Sequence, residues 1–336
     1  VVVDTMAPSV PSFLRVNDDT GANNIDSVTN DNTLTFDGMA APNSIIKVFE
    51  TTLGLIGATT ANNAGVWTLD STANSLDDGS YEFSAIAEDI AGNSSVVSVL
   101  LNVVVDTIDP ILPTIAVIVD DSGFDASDGV TKDNRLVMQG TAEPLAMIMI
   151  SDPVLGLLES TTADAGGSWQ LDASTTTLVD GTYNFTAWSH DLAGNASQSA
   201  VYVVVIDTTA PDVPSIVAVN DDNGLSSTDR VTNDSTLSIT GLSEANSIVS
   251  VFETTLGLVG STIADGGGIW TLNLPMVSDG RFEFTVSAAD LAGNLSGISG
   301  FFEVVVDTVA PQLPTLVLDP LFDTAPVGDQ TTDLAT

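Results

Sequence analysis

Aspartates are the residues of this sequence best suited to chemistry, and they recur in three matching sets. Each set has two adjacent aspartates, a glycine two residues after the second, and a third aspartate eight residues after the first. Carboxylates gathered so closely repel one another unless a cation lies between them. An irregular pocket of oxygens suits Ca²⁺ better than Mg²⁺, so we expect Ca²⁺ at these loops. The sets are Asp18, Asp19 and Asp26; Asp120, Asp121 and Asp128; and Asp221, Asp222 and Asp229.

A second group of aspartates follows a short apolar run and opens the motif Asp-Thr-x-x-Pro. The motif occurs four times, at Asp4, Asp106, Asp207 and Asp307, at intervals of 100 to 102 residues. The β-branched residues before each aspartate favour a strand, and the proline cannot donate to a sheet. A repeat of this length can bury a core of its own. We therefore predict repeats at 1–106, 107–207 and 208–307, with 308–336 as the truncated, divergent start of a fourth.

Composition limits the classes of function. There are 45 acidic and 6 basic residues, which excludes a basic groove for nucleic acid and makes cations the natural partners. Hydrophobic residues make up 43% and charged residues 15% of the chain, unlike a disordered acidic tail. Cysteine is absent, so disulfides cannot brace the domains, and no apolar run reaches the roughly 20 residues that cross a bilayer.

Because the sequence begins within an apolar run and without an initiator methionine, we expect it to be part of a longer protein.

The alternation of apolar and polar residues predicts seven strands per repeat, as a β-sandwich requires. In the first repeat these are strand A at Ser12 to Val16, B at Thr33 to Phe36, C around Ile46 and Val48, D between Gly57 and Asn62, E at Trp67 to Leu69, F at Tyr81 to Ala87, and G ending at Val105. The aromatic residues Trp67 and Tyr81 recur in register and are expected in the core. A tyrosine after an Asp-Gly turn, at the start of strand F, resembles the tyrosine corner of immunoglobulin-like sandwiches.

Five motifs recur in the same order in every repeat. They are Asp-Thr-x-x-Pro, Asp-Asp-x-Gly followed by Asp-x-Val-Thr, Gly-x-Trp, Asp-Gly-x-Tyr-x-Phe (Phe282 replaces the tyrosine in the third repeat), and Asp-x-Ala-Gly-Asn. Together they resemble the bacterial immunoglobulin-like repeats of giant type I-secreted surface adhesins, including the RTX-type and biofilm-associated adhesins. The resemblance implies an all-β fold class, tandem seven-stranded immunoglobulin-like sandwiches in an extended array. It also implies rigid extender domains, with calcium at their junctions, on the surface of a Gram-negative bacterium.

The immunoglobulin-like topology predicts where the aspartates meet. The A–B and E–F loops share the end where strand G leaves, and the F–G loop lies at the opposite end, so linker aspartates meet loops of two repeats. The predicted metal ligands are Asp18, Asp19, Asp26, Asp106, Asp109 and Asp191 at the first junction; Asp120, Asp121, Asp128, Asp207 and Asp290 at the second; and Asp221, Asp222, Asp229 and Asp307 at the third. Two alternatives stay open: all are solvated turn residues, or the F–G aspartates Asp191 and Asp290 only close a turn.

The function that these patterns predict is a calcium-rigidified, monomeric extender that projects a distal ligand-binding region from the cell. The alternative is that the repeats themselves bind carbohydrate or a protein partner, or pair homophilically. An enzyme is not expected, because the one histidine, His190, has no counterpart in the other repeats and no nucleophile motif occurs. Trp188, on the outward side of strand F, is a single candidate platform for stacking a sugar.

Overall fold

The computed structural model describes residues 3–17, 19–21, 23–220 and 222–315. Within these residues there are 25 strands and no helix, which confirms the predicted all-β fold class. Two predicted ligands, Asp18 and Asp221, lie outside the described residues, as does the predicted fourth repeat beyond residue 315.

The strands of the first repeat are β1 Ser12–Asn17, β2 Val28–Thr29, β3 Thr35–Met39, β4 Ile45–Glu50, β5 Gly54–Thr60, β6 Val66–Asp70, β7 Gly79–Glu88 and β8 Leu101–Val105. They form two sheets, with orders β1-β3-β6 and β2-β8-β7-β4-β5. The seven predicted strands are present. The extra strand, β2, has two residues and pairs in parallel with β8, with Val28 opposite Val104. So short a strand carries no alternation that a sequence could reveal.

The other repeats follow the same plan, including the two-residue parallel strand. In the second repeat the strands are β9 Thr114–Ile118, β10 Val130–Thr131, β11 Val137–Thr141, β12 Met147–Asp152, β13 Gly156–Thr162, β14 Ser168–Asp172, β15 Gly181–His190, β16 Ala196–Gln198 and β17 Tyr202–Ile206. In the third they are β18 Ser215–Asn220, β19 Val231–Thr232, β20 Ser238–Leu242, β21 Ile248–Glu253, β22 Gly257–Ile263, β23 Ile269–Asn273, β24 Gly280–Ala289 and β25 Phe302–Val306.

Two compact units divide the chain. The first is Val1–Thr209 with Leu291–Asn294, and it contains the first two sandwiches. The second is Ala210–Asp290 with Leu295–Thr336, and it contains the core of the third.

Each sandwich has its own apolar core between its two sheets. The predicted core tryptophan is buried in every repeat, and its ring lies against the glycine paired with it on the neighbouring strand of the same sheet. At Gly241, an added Cβ would lie 2.0 Å from the carbonyl oxygen of Ser215 and 2.4 Å from the ring of Trp270. Glycine is required there because any side chain would collide with backbone and ring.

The predicted tyrosine corner is present in two repeats. The hydroxyl of Tyr81 donates to the carbonyl of Asp77 at 2.8 Å, and that of Tyr183 donates to the carbonyl of Val179 at 2.9 Å. Phe282 occupies the same place in the third repeat and has no hydroxyl to donate.

A buried carboxylate closes the turn after the fourth strand, a role that the sequence pattern did not reveal. Glu50 accepts backbone hydrogen bonds from Thr52 at 2.6 Å and Leu53 at 2.7 Å, and Asp152 and Glu253 do the same in the other repeats. Burial raises the pKa of Glu50, but the hydrogen bonds from Thr52 and Leu53 outweigh it and lower the pKa overall. These carboxylates stay ionised inside the fold because backbone donors replace their water.

Replacing Gly241 by alanine will destabilise the third repeat by about 1–3 kcal/mol or more, because the new Cβ overpacks the contact with Trp270. Calorimetric unfolding of the full chain measures the effect on that repeat's transition. Gly266→Ala is the matched control, since its Cβ meets nothing within 4 Å. Equal transition temperatures for the two variants would contradict the packing argument.

Candidate functional site

The linker that leaves each sandwich is held first by its aspartate. The backbone N–H of Asp106 donates to the carbonyl of Thr29, on β2, at 3.0 Å, and Asp207 and Asp307 make the equivalent bond. The Asp106 side chain accepts the N–H of Ile108 at 3.1 Å and closes a tight turn. The short parallel strand therefore extends the sheet to the first residue of the linker.

The threonine after that aspartate is held by the turn before strand F. The N–H and the hydroxyl of Thr208 donate to one oxygen of Asp180 at 3.0 and 2.7 Å. Thr107 binds Asp78 and Thr308 binds Asp279 in the same way. Hydrogen bonds from Thr208, and one from the hydroxyl of Thr209, lower the pKa of Asp180. We call this pair of bonds the threonine latch; the sequence places these aspartates in a turn but does not show their partner.

Within the first unit, the linker between the first two repeats is also held from the second repeat. The side-chain amide of Asn195 donates to the carbonyl of Asp106 at 2.8 Å, and the hydroxyl of Ser197 donates to the carbonyl of Pro110 at 2.6 Å. Asn294, which also belongs to the first unit, donates to the carbonyl of Asp207 at 2.7 Å. The asparagine of Asp-x-Ala-Gly-Asn thus fastens the linker, a role that the sequence analysis missed.

The loops of the first two repeats also touch directly. The carbonyl of Ala193, in the F–G loop, accepts the N–H of Asn30 at 3.1 Å and the hydroxyl of Thr20 at 3.0 Å. The A–B loop, the linker and the F–G loop therefore converge at the first junction, as the topology predicted.

The F–G aspartate closes its own turn, as one alternative predicted. One oxygen of Asp191 accepts the N–H groups of Gly194 at 2.7 Å and Asn195 at 2.9 Å, and the other accepts the Asn195 side chain at 2.8 Å. Gly194 has a φ of 98°, which a glycine adopts without strain. Asp290, in the second unit, is buried at the equivalent position.

The aspartates of the A–B loop have a feature that a cation would satisfy. One oxygen of Asp19, Asp121 and Asp222 accepts the N–H of Ser27, Gly129 and Arg230, respectively. The other oxygen, Oδ1, is buried and has no hydrogen-bond partner in any of the three. A buried carboxylate oxygen without a protein partner is costly, and a cation beside it would offset that cost.

Asp121 shows the electrostatic strain most clearly, because it is only 9% exposed. Burial raises the pKa of its carboxyl, and repulsion from Asp128 and Asp125 adds to the rise, more than the hydrogen bond from Gly129 lowers it. A cation beside Oδ1 would remove both the desolvation penalty and the repulsion.

The remaining predicted ligands are less closely gathered. Asp26, Asp128 and Asp229 each use one oxygen to accept the N–H two residues ahead, while Asp109, Asp120 and Asp307 are exposed. Among the described residues, no three acidic or histidine side chains lie close enough together to share a metal ion. Asp18 and Asp221, the neighbours of two of the unpartnered aspartates, are outside that set. The metal ligands therefore stay a prediction.

A bacterial Ig-like domain model matches residues 5–107, 111–208 and 209–308. The chain belongs to the bacterial Ig-like domain family. A search of curated protein sequences finds no significant match. The described residues contain no helix long and apolar enough to cross a membrane.

Several solved structures are similar to this chain at low sequence identity. A bacterial ice-binding adhesin is 17% identical, with 90% of this chain and 99% of that chain aligned at a TM-score of 0.32. The BSP domain of a biofilm-associated protein is 13% identical over 92% of this chain and 69% of that chain, at a TM-score of 0.23. The fibronectin(III)-like modules of Clostridium thermocellum CbhA are 14% identical over 56% of this chain and 93% of that chain, at a TM-score of 0.34.

Replacing Asn195 by alanine will loosen the first junction, because the linker loses its donor to the carbonyl of Asp106. Hydrogen exchange at the N–H of Asn30, which donates to Ala193, will become faster. Asn93→Ala is the matched control, since Asn93 makes the same turn bond to Asp89 in the first repeat but does not contact this junction. Unchanged protection of Asn30 in Asn195→Ala would show that the amide does not fasten the linker.

The threonine latch will weaken in acid. The pKa of Asp180 lies below its ordinary value of 3.8. The threonine latch therefore contributes fully to the stability of the fold above pH 3.8, and this contribution is lost as the pH falls through the lowered pKa. The amide chemical shift of Thr208 should titrate below pH 3.8, and Asp180→Asn should abolish the titration. Asp164→Asn, which neutralises another turn aspartate of the same repeat, should leave it unchanged. A Thr208 midpoint above 3.8 would contradict the latch.

Proposed function

We propose that these repeats are a spacer segment of a bacterial surface adhesin, exported by type I secretion and stiffened by calcium at the loops that meet the linkers. The main support for this proposal is the set of hydrogen bonds that holds the first two residues of each linker. Its aspartate continues a sheet, and its threonine is bound by the turn before strand F, in all three repeats.

A linker bound at so many points resists rotation. At the first junction, the amide of Asn195 and the hydroxyl of Ser197 bind the linker from the second repeat, so it is held from both sides. Free rotation about a backbone bond would break several of these hydrogen bonds at once, each contributing about 0.5–1.5 kcal/mol. Resistance to rotation is the property a spacer needs to keep a distal region away from the cell.

Charge supports calcium as the additional brace. The chain has a net charge of −39, and only 6 lysines and arginines are available to pair with its 45 carboxylates. The unpartnered Oδ1 atoms of Asp19, Asp121 and Asp222 supply one recurrent ligand per repeat. Neighbouring carboxylates and carbonyls of the same loops would supply the rest of the 6–8 oxygens that Ca²⁺ takes. We propose no catalytic role, in keeping with a single histidine that only one repeat carries.

Calcium will raise the melting temperature of the full chain relative to chelated protein. At a hundredfold excess over the dissociation constant, each site stabilises the folded state by about 2.7 kcal/mol. In Asp121→Asn, calcium should raise the melting temperature by less than in the wild type. A calorimetric Ca²⁺ titration of this variant should show one binding site fewer. Asp164→Asn is the matched control: it removes the same charge from an exposed turn whose carboxylate is already bonded to Gly166 and Ser168.

The outcome is decisive in either direction. Identical melting curves in Ca²⁺ and in excess EDTA, with no heat of binding, would remove calcium from the proposal. If Asp121→Asn and Asp164→Asn lose calcium binding and thermal stabilisation equally, the ion is attracted by the overall charge and does not bind the buried oxygen.

A further inference from the structure

We propose that the outward sheet face of the second repeat binds one soft monovalent metal ion, Cu(I) or Ag(I), through Met147, Met149 and His190, with Trp188 against the ion. We call these four residues the thioether face. This site is independent of the calcium loops and of the spacer function.

The strands place the four side chains together. On β12, Ile148 and Ile150 are fully buried, so the alternation of a strand directs Met147 and Met149 to the opposite face. On β15, Ser189 is fully buried, so Trp188 and His190 lie outward by the same rule.

The register then pairs them directly. Met147 is opposite His190, and Met149 is opposite Trp188. Directly opposite residues have Cβ atoms about 4.5–5.5 Å apart, and residues two apart on a strand are separated by about 6–7 Å. The four side chains therefore occupy the corners of a small quadrilateral, within reach of one central ion.

The ligand chemistry selects the ion. Thioethers are soft ligands that favour Cu(I), and imidazole binds copper as well. Ca²⁺ and Mg²⁺ require oxygen ligands, and none of the four residues directly opposite the thioether face on the flanking strands carries a carboxylate. Those neighbours are also free of lysine and arginine, which would repel a cation. They are Thr162, Ser160, Ala196 and Gln198.

Trp188 adds an aromatic face beside the ion. Its side chain is 37% exposed, whereas Trp67, Trp169 and Trp270 are buried in the three cores. A cation over an indole ring is attracted by the ring's negative face. The indole also supplies a spectroscopic reporter, since a bound heavy ion quenches its fluorescence.

The other two repeats show that the fold does not need these residues. At the same positions, the first repeat has an ion pair between Lys47 and Glu88. The third repeat has Ser250 and Ala289 there. The thioether face gathers two of the chain's six methionines and its one histidine in a single repeat. We therefore expect one site per chain.

The test is a titration of the full chain with Ag⁺ in nitrate buffer, followed by Cu(I) under reducing, anaerobic conditions against a chromogenic chelator. Wild type should bind one equivalent with quenching of tryptophan fluorescence, and excess Ca²⁺ should not displace the ion. The variant Met147→Leu/Met149→Leu, which conserves side-chain volume, should lose the site, and His190→Ala should weaken it. Met276→Leu is the matched control, because Met276 is exposed in the third repeat, outside any such face.

A second measurement uses the unmodified chain, so it does not depend on the folding of any variant. The methyl resonances of Met147 and Met149 should shift with one equivalent of Ag⁺, while those of Met276 and Met39 stay in place. Equal Ag⁺ affinity in wild type and in the double methionine variant, or uniform shifts of all exposed methionines, would overturn the site.

Discussion

The hydrogen bonds at the start of each linker are the constraint on which the rest of this structure depends. A sandwich ends at its last strand, and without further contacts the chain would leave it as a free hinge. Instead, the two-residue parallel strand binds the linker aspartate and the threonine latch binds the residue after it. The linker therefore begins as part of the preceding sandwich. In the first unit, Asn195 makes it part of the following sandwich as well.

This constraint gives the recurrent motifs a physical meaning. In Asp-Thr-x-x-Pro, the aspartate closes a turn and the threonine binds the turn before strand F. In Asp-x-Ala-Gly-Asn, the aspartate orders the loop so that the asparagine can reach the linker. The aspartates of the A–B loop differ from those of these two motifs. One oxygen of Asp19, Asp121 and Asp222 is buried without a hydrogen-bond partner. Direct hydrogen bonds hold the linker and the F–G loop, and the proposed calcium ion would hold the A–B loop through this oxygen.

Much of the fold could be predicted because its signals are local. Ile46 and Val48 alternate with a polar residue, and Tyr81 follows an Asp-Gly turn, so strand positions and the tyrosine corner follow from nearby residues. The missed features depend on distant partners. The two-residue strand β2 exists only by pairing with β8. Asn195 reaches a carbonyl that is 89 residues away in the sequence, and such a distant partner leaves no local pattern to read. The predicted convergence of loops at the first junction is confirmed, whereas the sharing of a metal there is still a prediction.

The most direct test of a held linker compares the orientation of the first two sandwiches in solution by residual dipolar couplings of the full chain. If the hydrogen bonds at Asp106 and Asn195 fix the linker, couplings from the two sandwiches will fit one alignment tensor of a single magnitude. Two tensors of clearly unequal magnitude, with both sandwiches folded, would show that the linker is a free hinge and would contradict this account.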